Sequence, residues 1–197
     1  MHGRERVEGV TIAQVDPATR RPKMETARYV ECDTLLLSVG LIPENELTQG
    51  TGAAMDRVTS GAVVDAARQT TAEGIFACGN VLHVHDLVDN VSAEAQIAGE
   101  SAAKFAQGRL AKAETVNVVP CGAVRYVVPQ RLVKGEGEAA LYFRVGSAYK
   151  GATLLVKCGE TELVRRKKPI MTPGEMEKIT VDAEKITGDV TLEIVTA

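Results

Sequence analysis

Thr70-Thr71-Ala72-Glu73-Gly74-Ile75-Phe76-Ala77-Cys78-Gly79-Asn80 decides how this chain is read. The two threonines and Gly74 predict a turn. Gly74 to Cys78 then predict a short buried strand. Gly79 lets the backbone approach a ligand closely, and Asn80 places a hydrogen-bonding amide at the carboxyl end of that strand.

Upstream, Cys32 to Ser38 and the apolar run Asp33 to Val39 predict another strand, one covered on both faces. It ends in Val39-Gly40-Leu41-Ile42-Pro43. Before it, Val7 to Asp16 alternates with period two, Asp16-Pro17-Ala18-Thr19 signals a turn, and Glu25 to Glu31 reads as a returning strand. A hairpin or meander is expected there. Gly61 to Asp65 predicts one more short strand, and Asn45-Glu46-Leu47 a helical turn.

Downstream lies the one strong helix. Ser92 is the N-cap candidate, Asp89 and Asn90 offer neighbouring caps, and the pattern runs through Phe105 to a C-cap at Gly108. Its small face, Ala95, Ala98, Gly99 and Ala102, predicts close packing. From Val116 onward valine, threonine and leucine dominate. Seven strands are expected, centred on Val118, Val127, Tyr142, Leu155, Leu163, Ile179 and Leu192, with Cys158-Gly159-Glu160-Thr161 as a tight hairpin. Spacers such as Lys134-Gly135-Glu136-Gly137 separate them. The expected fold class is α/β plus all-β. Residues 1–110 are expected to form a partial α/β domain, and residues 111–197 a β-sandwich.

Composition narrows the function classes. The chain has 197 residues, 45% of them apolar, and a formal charge of −3. Nucleic-acid binding wants a concentrated basic face, which is absent. The run Arg165-Arg166-Lys167-Lys168 reads as a charged strand edge, with a phosphate or partner patch as the alternative. No apolar run reaches the ~20 residues of a membrane span, and Met1-His2-Gly3-Arg4 lacks a signal-peptide core. A cytoplasmic protein is expected. Cys32, Cys78, Cys121 and Cys158 form no C-x-x-C and read as free buried thiols.

The ordered set of strand, Gly40-to-Pro43 turn, second strand and Gly79-Asn80 resembles the two-dinucleotide-binding-domain flavoproteins, which include the pyridine nucleotide oxidoreductases. The resemblance covers about residues 1 to 107 and implies that residues 1–110 are a partial flavin- and nicotinamide-binding domain. It implies that Gly40-Leu41-Ile42-Pro43 marks the return from the nicotinamide domain to the flavin domain. By the same resemblance Gly79 and Asn80 would meet the ribityl chain. The family usually carries aspartate where Asn80 stands. The amides of Val91, Ser92 and Ala93 would face the flavin ring edge that gathers negative charge on reduction. FAD and NAD(P) are the implied cofactors of the intact enzyme. The phrase from Ala77 to Asp89 also resembles the large subunits of sarcosine oxidase and cyanide synthase.

No G-x-G-x-x-G opens the chain, so the phosphate-binding half of the site is expected elsewhere. That predicts a piece of a larger oxidoreductase, inactive alone, with no FAD bound. Its partner would be the missing N-terminal half, with a second subunit or a homodimer as further options. The alternative is a non-enzymatic module whose β-sandwich docks a partner.

His83 and His85 carry three open readings. With Asp86 they could ligate a metal, handle protons beside a flavin, or serve as ordinary polar loop residues. A third metal ligand is not evident, since the only other histidine is His2. The β region holds no histidine, which argues against a disulfide-reductase type of mechanism.

Overall fold

The computed structural model describes residues 1–38, 40–110, 114–135 and 137–196. Val39, at the end of one expected strand, and Glu136, in an expected spacer, lie outside them. The chain divides into two compact units, Met1–Gly40 and Leu41–Ala197. The boundary expected at residue 110 falls inside the second unit.

The first unit is built on a hairpin. Strand β1 (Gly9–Ile12) pairs antiparallel with β2 (Arg28–Glu31), Gly9 opposite Glu31 and Ile12 opposite Arg28. Both strands are shorter than their sequence patterns. The Asp16 turn forms as expected, the Asp16 carboxylate accepting from the amides of Ala18 and Thr19 at 3.0 and 2.9 Å. Gly9 is required by close approach. A Cβ there would sit 2.1 Å from the Tyr29 hydroxyl oxygen, which donates to the Glu8 carbonyl at 2.8 Å.

The expected buried strand over 33–38 does not form. These residues have no ladder partner among the described residues, and Leu36 and Leu37 are 91% and 73% exposed. The physical reason is that no described strand flanks this run. A strand covered on both faces exists only inside a sheet that supplies flanking strands and covering helices.

The second unit opens with a short helix, α1 (Glu46–Gly50). A chain of tight turns follows, and single bridges replace the two strands expected at 61–65 and 74–78. Met55 pairs with Ala62, Val64 with Thr70 and Gln69 with Phe76. Side-chain acceptors close each turn. Asp56 accepts from Val58 and Thr59, Asp65 from Ala67 and Gln69, and Thr70 from Ala72. Such local bonds compete with ladder formation.

Helix α2 (Val88–Ala106) begins four residues before the expected Ser92 cap. Leu87 is extended and caps without a side-chain bond. Gly108 closes the far end in the left-handed region at φ 66°, its amide bonded to the Phe105 carbonyl. The buried face is Glu94, Ala98 and Ser101. Ala95 and Gly99 of the expected small face are exposed.

The remaining strands are β3 (Thr115–Cys121), β4 (Val124–Val128), β5 (Arg131–Val133), β6 (Glu138–Val145), β7 (Tyr149–Cys158), β8 (Thr161–Met171), β9 (Glu177–Asp182) and β10 (Val190–Val195). Each of the seven expected centres falls in one of them, and the three-residue β5 is an eighth. One sheet runs β5-β3-β10-β7-β8 and the other β4-β6-β9. All pairings are antiparallel except β10 with β3. The β7–β8 turn is the expected hairpin, with Gly159 at φ 56°.

Both sheets feed one buried apolar cluster. Val118, Leu154, Val156 and Leu192 come from the five-stranded sheet, and Val127, Leu141, Phe143, Ile179 and Val181 from the three-stranded one. Strand β8 is an edge, and its charges guard it. Arg165 pairs with Glu162 and Lys168 with Glu177. A second cluster joins the turn-rich segment to β4 through Ala62, Val64, Ala77, Leu82, Tyr126 and Val128. No described helix is long and apolar enough to cross a membrane.

Candidate functional site

Period two in β6 sends Leu141 and Phe143 into the core and Tyr142 to the opposite face. That face is also covered, since Tyr142 is fully buried. What covers it is an ionic cluster formed by Arg68, His83, His85 and Glu94.

Glu94 is the hub. Its Oε1 accepts from Arg68 Nε at 2.9 Å and lies 3.5 Å from His83 Nε2. Its Oε2 accepts from the Gly79 amide at 2.7 Å and lies 3.0 Å from His85 Nε2. Burial by itself would raise the Glu94 carboxyl. The bonds from His83 and His85 and the Arg68 charge outweigh it, and hold the group well below the usual carboxylate range. An ionised carboxylate only accepts, so both histidines present a protonated Nε2 to it. Burial lowers His83, against the pull of Glu94, so this ring is neutral at physiological pH. The Nδ1 atoms of both rings are buried and have no partner among the described residues.

Arg68 reaches Glu94 from a tight turn. Its backbone lies at φ 65°, a conformation uncommon for a residue with a side chain, and the Asp65 carbonyl accepts its amide. The guanidinium also donates to the Ala66 carbonyl at 3.3 Å and lies 6.0 Å from the Tyr142 ring centre. The imidazoles pack edge-on to each other at 4.3 Å and against Tyr142 at 6.0 and 5.7 Å. Tyr126 of β4 meets His83 at 5.9 Å.

His83, His85 and Glu94 offer ligand atoms within 4.8 Å of one another. Electrostatics disfavours a divalent ion among them. Both Glu94 oxygens are already engaged by cationic or N–H donors. A second positive centre would share one carboxylate with the buried Arg68 guanidinium, and buried uncompensated charge is costly. The cluster is a hydrogen-bonded ion pair in which both Glu94 oxygens are satisfied, while Arg68 Nη2 and the two Nδ1 atoms have no partner among the described residues.

The solvent side is different. Asn80 is exposed and sits in a 3₁₀ turn, Gly79–Val81. Its Oδ1 accepts from the His85 amide at 3.1 Å, while its Nδ2 has no partner among the described residues. Gly79 is at φ 70°, and a Cβ on it would lie 3.2 Å from Val91 Cγ1. The turn therefore packs on the start of α2. Asn45, two residues after Pro43, donates from Nδ2 to the carbonyls of Ser60 and Val81 at 2.9 and 2.7 Å and ties this loop down.

Because α2 starts at Val88, the first-turn amides of Val88 and Asp89 have no partner among the described residues. The Asn90 amide bonds back to the Leu87 carbonyl. Val91, Ser92 and Ala93 occupy the second turn, where amides bond within the helix. Leu87 and Val88, 60% and 74% exposed, flank the Val88 and Asp89 amides. Pro43 is half-buried at the start of the second unit, and Gly40, at φ 81°, ends the first. All four cysteines are free, but only Cys158 is buried.

Arg68, Glu94, Tyr126 and Tyr142 were not among the site residues expected from the sequence. Glu94 carried a faint signal, an acid on the helical stripe of Ala98 and Ser101. Arg68 carried none, since its role depends on a left-handed turn.

The described geometry, turns feeding a glycine-led loop and then a helix N-terminus beside a β-rich region, fits part of a dinucleotide-binding domain followed by a separate β element. Residues 2–102, just over half of the chain, match the family of pyridine nucleotide-disulphide oxidoreductases, and the chain belongs to that family. No curated protein and no solved structure matches it. The finer likeness to sarcosine oxidase and cyanide synthase subunits finds no support in these comparisons.

Proposed function

We propose that the chain contributes one side of an FAD site in an oxidoreductase that passes hydride between NAD(P) and an acceptor. Bound FAD supplies the redox chemistry there. Gly79 and Asn80 form the ribityl-contacting turn. The amides of Val88 and Asp89 face the ring edge that becomes negative on reduction, in the role first expected of Val91, Ser92 and Ala93. Leu87 and Val88 offer apolar surface to the ring. His83 and His85 lie behind this surface, and their tie to Glu94 fixes the loop that carries Asn80. A direct proton role for them is not favoured, because both rings are buried.

The observation that carries this reading is the exposed Asn80 carboxamide, whose Nδ2 has no partner among the described residues, on a turn packed against the N-terminus of a 19-residue helix that has no side-chain cap. The phosphate-binding loop is supplied from outside these 197 residues, as is the nicotinamide site beyond Met1–Gly40. The β-rich region is read as a sandwich, its two sheets facing across the shared apolar cluster.

Two results follow. The chain passed through gel filtration with FAD emerges colourless, since the pyrophosphate contacts are absent. A yellow protein with stoichiometric flavin would overturn the one-sided site. Free FMN at high concentration binds weakly, and Asn80→Ala weakens it further. Equal binding by both proteins would remove Asn80 from the site.

A further inference from the structure

Arg144 stands two residues after Tyr142 on β6 and shares its outward face. Its side chain is 14% exposed. The guanidinium makes contacts in four directions. Nε donates to the Tyr126 hydroxyl at 3.2 Å, Nη1 to the Pro173 carbonyl at 3.3 Å, and Nη2 to the Val84 carbonyl at 3.0 Å and Asp86 Oδ1 at 3.4 Å. Asp86 Oδ2 in turn accepts from the Met176 amide at 3.0 Å. The loop between Gly79 and α2 is thus clamped by two separate parts of the β region, strand β6 and the 172–176 turn.

The clamp continues to Asn80. Val84 and Asp86 flank His85, and the His85 amide donates to Asn80 Oδ1. From Arg144 to the Asn80 carboxamide there is an unbroken run of hydrogen bonds and one residue of backbone.

We propose that the β region is a working wall of the site rather than a docking module, with Arg144 as the residue that positions the Asn80 carboxamide through the 84–86 loop. Arg144 touches no cofactor in this scheme. A planar fork holds two carbonyls, a carboxylate and a phenol hydroxyl at once, which a lysine ammonium on a flexible stem does not reproduce. The inference rests on the reading of Asn80 as the ribityl contact, because only then does its orientation matter for chemistry. The positioning itself needs no flavin.

The test therefore uses the flavin-free 197-residue chain. Amide hydrogen exchange and side-chain nitrogen spectra are compared for the wild type, Arg144→Ala, Arg144→Lys, Asp86→Asn and the exposed control Arg166→Ala. In Arg144→Ala the His85 amide exchanges at least about tenfold faster, as local opening predicts. The Asn80 Nδ2 signals move, and His83 and His85 lose their single Nε2–H tautomer pattern. Core amides of β7 and β10 keep wild-type protection. Arg144→Lys and Asp86→Asn shift the same signals less, and Arg166→Ala leaves them unchanged.

Unchanged His85 exchange and Asn80 signals in a folded Arg144→Ala protein overturn the proposal. Uniform loss of protection across the β region in all three clamp variants overturns it too, since Arg144 would then be a folding residue. If Arg144→Ala alone unfolds, the lysine and Asp86 variants decide on the same signals. A shift of these signals without any effect of Asn80→Ala on FMN binding keeps the clamp and removes the flavin reading.

Discussion

Arg68 and Glu94 lie 26 residues apart in sequence and meet at 2.9 Å with side chains 1% and 0% exposed. The pair fixes the turn at 65–68 against helix α2 and, through the other Glu94 oxygen, anchors the Gly79 amide. Removing one partner leaves an uncompensated buried charge. Glu94→Ala and Arg68→Ala are each expected to cost ~3–5 kcal/mol in urea unfolding, and the apolar double variant Arg68→Met with Glu94→Leu less than either. Full additivity of the two losses would show that the residues do not act as a pair.

Acid weakens the fold through the same cluster. The folded pKa of His83 is depressed, so the unfolded chain binds more protons as pH falls below its ordinary 6.5. Stability is fully present above that value and declines below it, by at most about 1.4 kcal/mol per pH unit for one such group. Glu94, also depressed, adds a loss below its ordinary 4.5. Asp65, raised by burial, works in the opposite sense near its ordinary 3.8. Urea midpoints from pH 8 to 5 check the first part. His83→Gln flattens the slope below pH 6.5, and an unaltered slope would place the titrating group elsewhere.

Two glycines give a graded contrast. A Cβ on Gly61 would lie 2.0 Å from the Leu82 carbonyl oxygen, a backbone atom that cannot move aside. On Gly79 it would meet only the Val91 side chain at 3.2 Å, although at φ 70°. Gly79→Ala is expected to cost ~1–2 kcal/mol from the left-handed backbone. Gly61→Ala should exceed it, at or above the upper end of the ~1–3 kcal/mol typical of overpacking. Thermal melts rank them, and the reverse order would show that the 61–82 contact yields.

The larger apolar cluster draws buried side chains from both sheets. Phe143→Ala should cost ~3–5 kcal/mol, and Lys167→Ala on the exposed edge of β8 should stay within about 0.5 kcal/mol. A small loss at Phe143 would mean the two sheets do not share a tight core.

Strands of the β region were legible because each carries its own alternation and its own turns. Glu177, Ile179 and Val181 face inward in strict period two, and the Gly159 turn announces itself. The run through Leu35, Leu36 and Leu37 was misread for the opposite reason. Its apolar character suits a strand covered on both faces, and no described strand pairs with it. The start of α2 was misplaced because Ser92 looks like a cap, while Leu87, the residue that does cap, offers no side-chain signal. The Gly79-Asn80 turn could be read locally. The ionic cluster behind it could not, since Arg68, Glu94 and Tyr142 come from three distant segments and are joined only by folding.

Asn80 and the first turn of α2 are proposed to face a flavin. The most direct measurement is a titration of the isotopically labelled chain with FMN, followed by amide and side-chain nitrogen shifts. The largest changes are expected at Asn80 Nδ2 and at the Val88 and Asp89 amides, with stronger binding of the reduced than of the oxidised flavin. Changes confined to other surfaces, or none at these three positions at millimolar flavin, would contradict it.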